Sequence, residues 1–463
     1  TSDDYYCKML FQSPEYFRKD MEYLGKRYSS QHNVGLFLAN TNFGLFEKDF
    51  EIAKIIRETQ DKYDWPKVIN VNSGKDPDKL LKTASILKYK FSPSIALQTL
   101  TPKVLKNIGR KNIEFEKFVD FQKTVSETID KNTSTELILN LPGETKSSFL
   151  EVISSVLNSS VERIVIYTLM ALRGTPLASK ESAQKYDYDM RYRVVPRCFT
   201  EIDGIKIFEP EKVVVGTKDM SFDDYLYLRG LSLIITIFDS SVEMAPIKKF
   251  LADFDINIDK WIFGIHSSIL DSKVLRSIYN NFMDETEKEL FKSINSLKSF
   301  FNKKENYELL CSGKLGDNLS RKYKTIFLSQ CYGECLKVAC AELRVLAKKK
   351  EEKKQCDDMI DALESYLESR DINYLFEGKD VRKEPRNIVL KYDIPKWLEN
   401  KNNKTLKKYK GEFLYSVVVT DYAYNRVKNF YLANRDPQLS LQILFRDGDI
   451  KDFWPKWNYS ERK

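Results

Sequence analysis

Residues 94–112, SIALQTLTPKVLKNIGRKN, indicate most clearly how this chain folds. Residues 94–97 are short and apolar, as in a buried strand, and the polar Gln98 follows directly. Thr101 stands at the N-cap and Pro102 at the first position of the helix that comes next. In α/β barrels and open α/β sheets, ligands bind at the carboxyl ends of strands. The segment therefore predicts a strand, a functional tip and a capped helix, with a plain loop cap at Gln98 as the alternative.

The same alternation of strands and helices runs through the first half of the sequence. Residues 14–24 form the first predicted helix. Five predicted strands then alternate with amphipathic helices, and they span residues 34–39, 67–71, 94–97, 136–139 and 163–169. Such alternation predicts a parallel sheet with right-handed crossovers. Because the series opens on a helix and shows five strands rather than eight, we expect an α/β fold with a partial TIM-like barrel that lacks its first strand.

The pattern changes after the fifth strand. Residues 190–222 look extended, with a turn at Asp203 and Gly204. Beyond about residue 223 the segments are mostly charged amphipathic helices. We therefore predict two domains, an α/β core over residues 1–235 and a mainly helical C-terminal domain over residues 236–463.

The composition is that of a globular chain and narrows the classes of partner. The 463 residues carry a net charge of +8, which is mild for this length, and the lysines at 348–354 surround glutamates as on a solvated helix face. No apolar run approaches the roughly 18 residues of a membrane helix. Seven cysteines without a secretory signal favour reduced thiols. We expect a cytoplasmic protein that binds neither nucleic acid nor membrane.

The cysteine and histidine positions argue against a metal or hydrolytic site in this part of the protein. Cys331, Cys335 and Cys340 have the spacing CxxxCxxxxC within one predicted helix, which favours a structural role over a zinc or iron–sulfur site. The two histidines, His32 and His266, are far apart and match no metalloprotease or triad pattern. Residues 72–75, NSGK, lack the first glycine of a phosphate loop and predict an ordinary loop.

Three polar tips occur where predicted strands end. Their amide, hydroxyl and carboxylate groups belong to Asn40, Thr41 and Asn42, to Gln98, and to Asn140 and Glu144. Because the carboxyl ends of parallel strands meet at one edge of a sheet, these side chains predict a pocket for a zwitterionic or ribosyl ligand. Ordinary loop chemistry at each tip is the alternative.

These segments together resemble the radical S-adenosylmethionine (SAM) enzymes, in the branch that often carries an N-terminal cobalamin-binding domain. The likeness lies in the order and spacing of four segments: LFLANTNFGLFEKD at 36–49, IALQTLTPKVLKNIGRKN at 95–112, LNLPGET at 139–145 and IYTLMALRGTPLA at 166–178. It covers roughly residues 1–235.

The resemblance implies a fold and a cofactor set. The family's fold is a six-stranded partial barrel, and its reaction begins at a [4Fe-4S] cluster held by a CxxxCxxC motif after the first strand. Three thiolates leave one iron open to SAM, which is cleaved reductively. This sequence begins at Thr1 and shows neither the motif nor the first strand, so the resemblance implies a chain cut short before its cluster loop. The use of cobalamin is left open.

The resemblance also assigns roles to the polar tips. The cofactor-binding residues that it implies are Asn40, Thr41, Asn42, Gln98, Arg110, Asn140 and Glu144. The first three would lie near the methionyl amino group of SAM, while Gln98 would face its ribose or carboxylate. Arg110 would assist with the carboxylate. Asn40 stands where the family usually has an aspartate, and it keeps an acceptor oxygen.

The function implied is reductive cleavage of SAM for radical chemistry or methyl transfer on an unknown substrate. The family implies an electron donor such as flavodoxin or ferredoxin as a partner. Without the cluster motif, we expect the chain as given to be inactive. The alternative is a non-catalytic α/β barrel that binds a nucleotide or a protein partner.

Overall fold

A computed structural model describes ten stretches of the chain, and the chain divides into two compact units. The described residues are 12–30, 34–87, 91, 95–129, 134–159, 161–348, 353–370, 385–400, 404–434 and 450–459. Unit 1 comprises Thr1–Ile138 and Ser159–Tyr167, and unit 2 comprises Leu139–Asn158 and Thr168–Lys463. His32, Ser94 and the lysines at 349 and 350 lie outside the described residues. The domain boundary expected near residue 235 stays a prediction.

Unit 1 alternates strands with helices, as the sequence predicts. Its elements are α1 (Pro14–Tyr28), β1 (Leu36–Phe43), α2 (Glu47–Tyr63), β2 (Ile69–Ser73), α3 (Pro77–Ile86), α4 (Pro102–Asn107), α5 (Phe115–Ile129), β3 (Ser134–Leu139) and β4 (Arg163–Thr168), of which the last two end one residue inside unit 2. β1 pairs with β2 in parallel, and β3 pairs with β4. Two parallel bridges, Ile69 with Phe91 and Gln98 with Leu137, add to these pairs.

The structure confirms the α/β class but shows small sheets. Among the described residues, the strands form three two-stranded sheets and one three-stranded sheet, none of them closed into a barrel. The strand predicted at 94–97 is wrong for residues 95–97, which lie outside any strand. The Thr135 side chain supplies hydrogen bonds that a neighbouring strand would otherwise make there. Its hydroxyl donates to the Ile95 carbonyl at 2.7 Å and accepts from the Leu97 amide at 3.4 Å.

Unit 2 contains the remaining elements, which are mostly helical. They are α6 (Lys146–Leu157), α7 (Lys180–Tyr186), β5 (Asp189–Ile202), β6 (Ile205–Gly216), α8 (Phe222–Ile234), α9 (Ala245–Asp253), α10 (Ile258–Ser268), α11 (Lys273–Lys288), α12 (Ile294–Phe301), α13 (Lys304–Cys311), α14 (Leu319–Gln330), α15 (Tyr332–Ala347), α16 (Lys353–Glu368), β7 (Arg386–Tyr392), α17 (Ile394–Glu399), β8 (Lys410–Val418), α18 (Asp421–Asn434) and β9 (Lys456–Tyr459).

The extended segment predicted at 190–222 is largely an antiparallel hairpin of β5 and β6. Its turn is at Asp203 and Gly204, both with positive φ, so the turn prediction is confirmed. The hairpin packs on α12 through Val194 and Phe208, which share a buried cluster with Leu297. This cluster anchors the long hairpin to the helical part of unit 2.

Helix α8 of unit 2 is buried at most of its positions. A π-helical turn, Ile235–Asp239, continues it, and its apolar side chains are buried too. Within the described stretches, no single helix has the length and apolar composition needed to cross a membrane. Phe222–Asp239 and Val242–Asp253 meet that test only as a pair, bent by 58°.

Candidate functional site

Gln98 occupies a constrained position beside β3, directly after residues 95–97. Its side chain is buried, with 8% exposed, and its backbone is left-handed, with a φ of 66°. The Gln98 amide donates to the Glu136 carbonyl at 2.7 Å, and the Ile138 amide donates to the Gln98 carbonyl at 2.9 Å. These two bonds fix the backbone in a conformation that costs a residue with a Cβ about 1–2 kcal/mol. Backbone strain of this kind is concentrated at binding and catalytic sites.

Asn112 holds the loop that follows α4 against the Gln98 tip. Its Nδ2 donates to the carbonyl oxygens of Leu97 and Thr99, both at 2.8 Å. Its Oδ1 accepts from Lys75 Nζ at 2.9 Å. Because both amide protons are used by carbonyls, the orientation of the Asn112 side chain is determined. Asn112 therefore links the residues on both sides of Gln98 to the loop after β2.

Lys75 is the residue of this region that the sequence analysis missed. It lies half-buried between β2 and α3, in the segment that the sequence predicts as an ordinary loop. Burial and, second, the positive charge of Arg110 lower the pKa of Lys75. The available signal was a lysine in the short loop that follows a predicted strand.

Gly74 ties the Lys75 loop to the end of β1. Its amide donates to the Phe43 carbonyl at 3.0 Å. A Cβ at Gly74 would lie 2.8 Å from the Leu45 Cβ and 3.3 Å from the Asn42 carbonyl oxygen, so a larger residue would push the loop away. The ends of β1 and β2 are therefore held side by side.

The first polar tip lies within a strand rather than after it. The sequence predicts that the strand ends at residue 39, but β1 runs to Phe43, so this boundary is wrong. The pairing with β2 is irregular between Leu38 and Phe43, and the Asn40 Oδ1 accepts from the Asn42 amide at 2.9 Å. This local bond bends the strand end without terminating it. The side chain of Thr41 lies outside what the structure describes.

Arg110 follows the end of α4. Gly109, with a φ of 64°, turns the chain, and the Arg110 amide donates to the Leu105 carbonyl at 2.9 Å. The Arg110 side chain is exposed. Unit 1 thus brings Asn42, Gln98 and Arg110 to one region through the contacts of Gly74, Lys75 and Asn112.

Asn140 and Glu144 belong to unit 2 and are fully buried. Asn140 follows β3 with a φ of 67°, and its Nδ2 donates to the Val214 carbonyl at 3.0 Å. Its Oδ1 has no hydrogen-bond partner among the described residues. The Glu144 carboxylate accepts from the Ser148 hydroxyl, beside the Thr145 N-cap of α6. Asn140 therefore offers one acceptor, while part of Glu144 is engaged in local structure.

The described cysteines do not fit an iron–sulfur cluster. Cys335 and Cys340 are completely buried on α15, and burial raises the pKa of both thiols. A cluster needs thiolates, whereas these sites favour the protonated form. No group of three or more His, Cys, Asp or Glu side chains in the described stretches is arranged to hold a metal ion. These cysteines pack as small core residues.

Comparison with known proteins identifies relatives of the chain, although no family profile matches it. The chain is 32% identical over 206 residues to 2-(S-pantetheinyl)-carbapenam-3-carboxylate methyltransferase of Streptantibioticus cattleyicolor. It is 31% identical over 207 residues to the cobalamin-dependent radical SAM methyltransferase TokK of Streptomyces tokunonensis. Each match covers 42% of this chain and 30% of the relative. The chain thus spans about 30% of the length of these relatives.

The name of a third relative describes a related transfer. The chain is 26% identical over 142 residues to the ribosomal protein uS12 methylthiotransferase RimO of Carboxydothermus hydrogenoformans, covering 30% of this chain and 31% of that protein. All three relatives are enzymes of methyl or methylthio transfer. The resemblance expected from the order and spacing of the four segments is confirmed: the chain is similar to two methyltransferases, one of them named as a radical SAM enzyme, and to a methylthiotransferase.

Proposed function

We propose that the protein containing this chain is a radical SAM methyltransferase. The observation that carries the proposal is the similarity, over more than 200 residues, to two methyltransferases, one of them named as radical SAM and cobalamin-dependent. The buried, left-handed Gln98 supports it, because strain is kept where a side chain must be held for a ligand. The six-stranded partial barrel is part of this proposal.

Within unit 1, we infer that the polar strand ends bind SAM. Asn40 and Asn42 present amide groups near the end of β1, and Gln98 presents another from a buried position. Amides both donate and accept, which suits the ammonium and the ribose hydroxyls of SAM. Asn140 and Glu144 remain residues proposed to contact SAM, each to be tested by its own variant.

The remaining cofactors are proposed from the family. A [4Fe-4S] cluster is the source of the electron that cleaves SAM, and its ligands would come from outside the described cysteines. Cobalamin is proposed as a methyl carrier because TokK is named as cobalamin-dependent. A small electron-transfer protein such as flavodoxin or ferredoxin is the proposed reductant. The methyl acceptor is left without an assignment.

The test is product formation by the protein purified without oxygen, at the length at which it is encoded, and reconstituted with iron and sulfide. Reduction with dithionite in the presence of SAM should give 5′-deoxyadenosine or S-adenosylhomocysteine, detected by mass spectrometry. The Gln98→Ala variant should lose most of this product, whereas Lys123→Met, an exposed change on α5, should not. A protein that shows the cluster absorption but leaves SAM intact would refute the proposal. Tight binding of other nucleotides would then favour the non-catalytic alternative.

A further inference from the structure

The tip of the β5–β6 hairpin has an outer face made of β-branched residues. In the register of the hairpin, Ile202 pairs with Ile205 and Thr200 pairs with Ile207, so these four side chains lie on one face. The three isoleucines are 55%, 66% and 46% exposed, in chain order. β-branched side chains are favoured on strands where a neighbouring layer packs against them. The outer face of the tip is therefore an apolar surface available to a partner.

The opposite face of the tip packs on the helices of unit 2. The Phe208 ring lies 5.8 Å from the Phe301 ring and 5.9 Å from the Tyr307 ring, measured between centroids. Lys206 Nζ donates to the Asn302 carbonyl at 2.9 Å and lies 4.8 Å from the centroid of the Tyr307 ring. These contacts hold the tip on α12 and α13, and they direct Lys206 away from the outer face.

A groove of about 650 Å³ lies along the second edge of β6. It is lined by the consecutive residues 204–208 and by Lys298 and Asn302 at the end of α12. Because successive side chains of a strand point to opposite faces, a groove lined by consecutive residues follows the edge of the strand. In the described part of the chain, β5 is the one strand that pairs with this segment of β6. The other edge, which we call the β6 groove, is open to a further strand.

Both charged residues that line the β6 groove are lysines. Lys298 is exposed, and the ion pairs of the hairpin, α11 and α14 do not include it. Lys206 bonds to a neutral carbonyl, and Glu201, opposite it in the hairpin, does not line the groove. An exposed strand edge is commonly protected by charged side chains that point outwards. Here the outer face carries isoleucines instead, so the edge lacks that protection.

We propose that the β6 groove binds an extended, acidic segment of a partner protein, which adds to the edge of β6 as a third strand. Main-chain hydrogen bonds to β6 supply affinity in this mode, and pockets for alternate side chains supply specificity. Carboxylates of the segment pair with Lys298 and Lys206, while its apolar residues cover Ile205 and Ile207. A second copy of the hairpin is a poorer occupant, because it brings the same lysines together. The inference is independent of the proposed SAM chemistry.

The experiment measures peptide binding to the full chain by fluorescence anisotropy. The probe is a short fluorescein-labelled peptide in which valine and glutamate alternate, and the matched peptide has lysine in place of glutamate. The acidic peptide should bind more tightly than the basic one by about tenfold or more. Lys298→Glu should weaken the acidic peptide by about fivefold, because an exposed ion pair is replaced by a repulsion. Lys123→Glu, the same charge change at an exposed position of α5, should leave the affinity unchanged.

A second pair of measurements tests the strand pairing and the identity of the occupant. An acidic peptide with N-methylated backbone amides should not bind, since it cannot donate the hydrogen bonds of a strand. Failure of the wild type to bind the acidic peptide, equal binding of the acidic and basic peptides, or full affinity in Lys298→Glu or for the N-methylated peptide would overturn the inference. Sedimentation velocity should show a wild-type monomer. A dimer that the exposed change Ile205→Lys dissociates would assign the β6 groove to a second copy instead.

Discussion

Replacing Gln98 by glycine or by alanine separates the strain of its backbone from the role of its side chain. Both variants lose the amide, so their difference in stability reports the left-handed backbone, which two bonds of 2.7 and 2.9 Å prevent from relaxing. Alanine keeps the cost of about 1–2 kcal/mol for a Cβ in that region. Glycine avoids it but loses about 0.5–1 kcal/mol through the entropy of the unfolded chain. We expect Gln98→Gly to be more stable than Gln98→Ala by about 0.5–1 kcal/mol.

The assay is urea denaturation followed by circular dichroism, with the two variants measured side by side. Lys123 on α5 gives a matched control, because an exposed helical position should show the opposite order, alanine above glycine by about 1 kcal/mol. Both Gln98 variants should bind SAM equally weakly. If alanine at position 98 were as stable as glycine, the strain assigned to this tip would not exist.

Three further predictions concern unit 2. Gly230→Ala should lower the free energy of unfolding by about 1–3 kcal/mol in urea denaturation, since a Cβ there would lie 1.9 Å from the Tyr279 hydroxyl. Gly333→Ala, with open space around it, should not destabilise the protein. Burial lowers the pKa of His266 to about 4, below its ordinary value of 6.5. The protein should therefore have its full stability above pH 6.5 and lose stability as the pH falls towards 4. An NMR titration midpoint of His266 near 6.5 would contradict this. Thr145→Ala should cost about 1 kcal/mol in the unfolding free energy by removing the N-cap of α6, and an unchanged urea midpoint would refute that role.

Local signals in the sequence predicted much of the fold. The N-cap at Thr101 with Pro102 gives the start of α4, and the turn at Asp203 gives the hairpin, because each depends on a few neighbouring residues. The length of β1 was missed, because the bond between Asn40 and Asn42 bends a strand that pairing with β2 still continues. Where pairing with another strand decides where a strand ends, the sequence of that strand alone does not show its end.

The sequence predicts the polar residues of the candidate site but not the long-range contacts that hold them in place. Gln98 was found because it directly follows the apolar run of residues 95–97. The place of Lys75 was not, since it depends on Asn112, which is 37 positions away and reaches the lysine only through the folded chain. In the same way, Thr135 satisfies the backbone of Ile95 and Leu97 across a separation that no local pattern contains.

The most direct test of the central claim, that the polar strand ends of this chain form a SAM site, is a competition between SAM and ATP. Saturation-transfer NMR on the chain should show transfer to the adenine and methyl protons of SAM, and these signals should persist when ATP is added in equal amount. They should be much weaker in Gln98→Ala and unchanged in Lys123→Met. Displacement of SAM by an equal amount of ATP, or no transfer to SAM at all, would contradict the assignment.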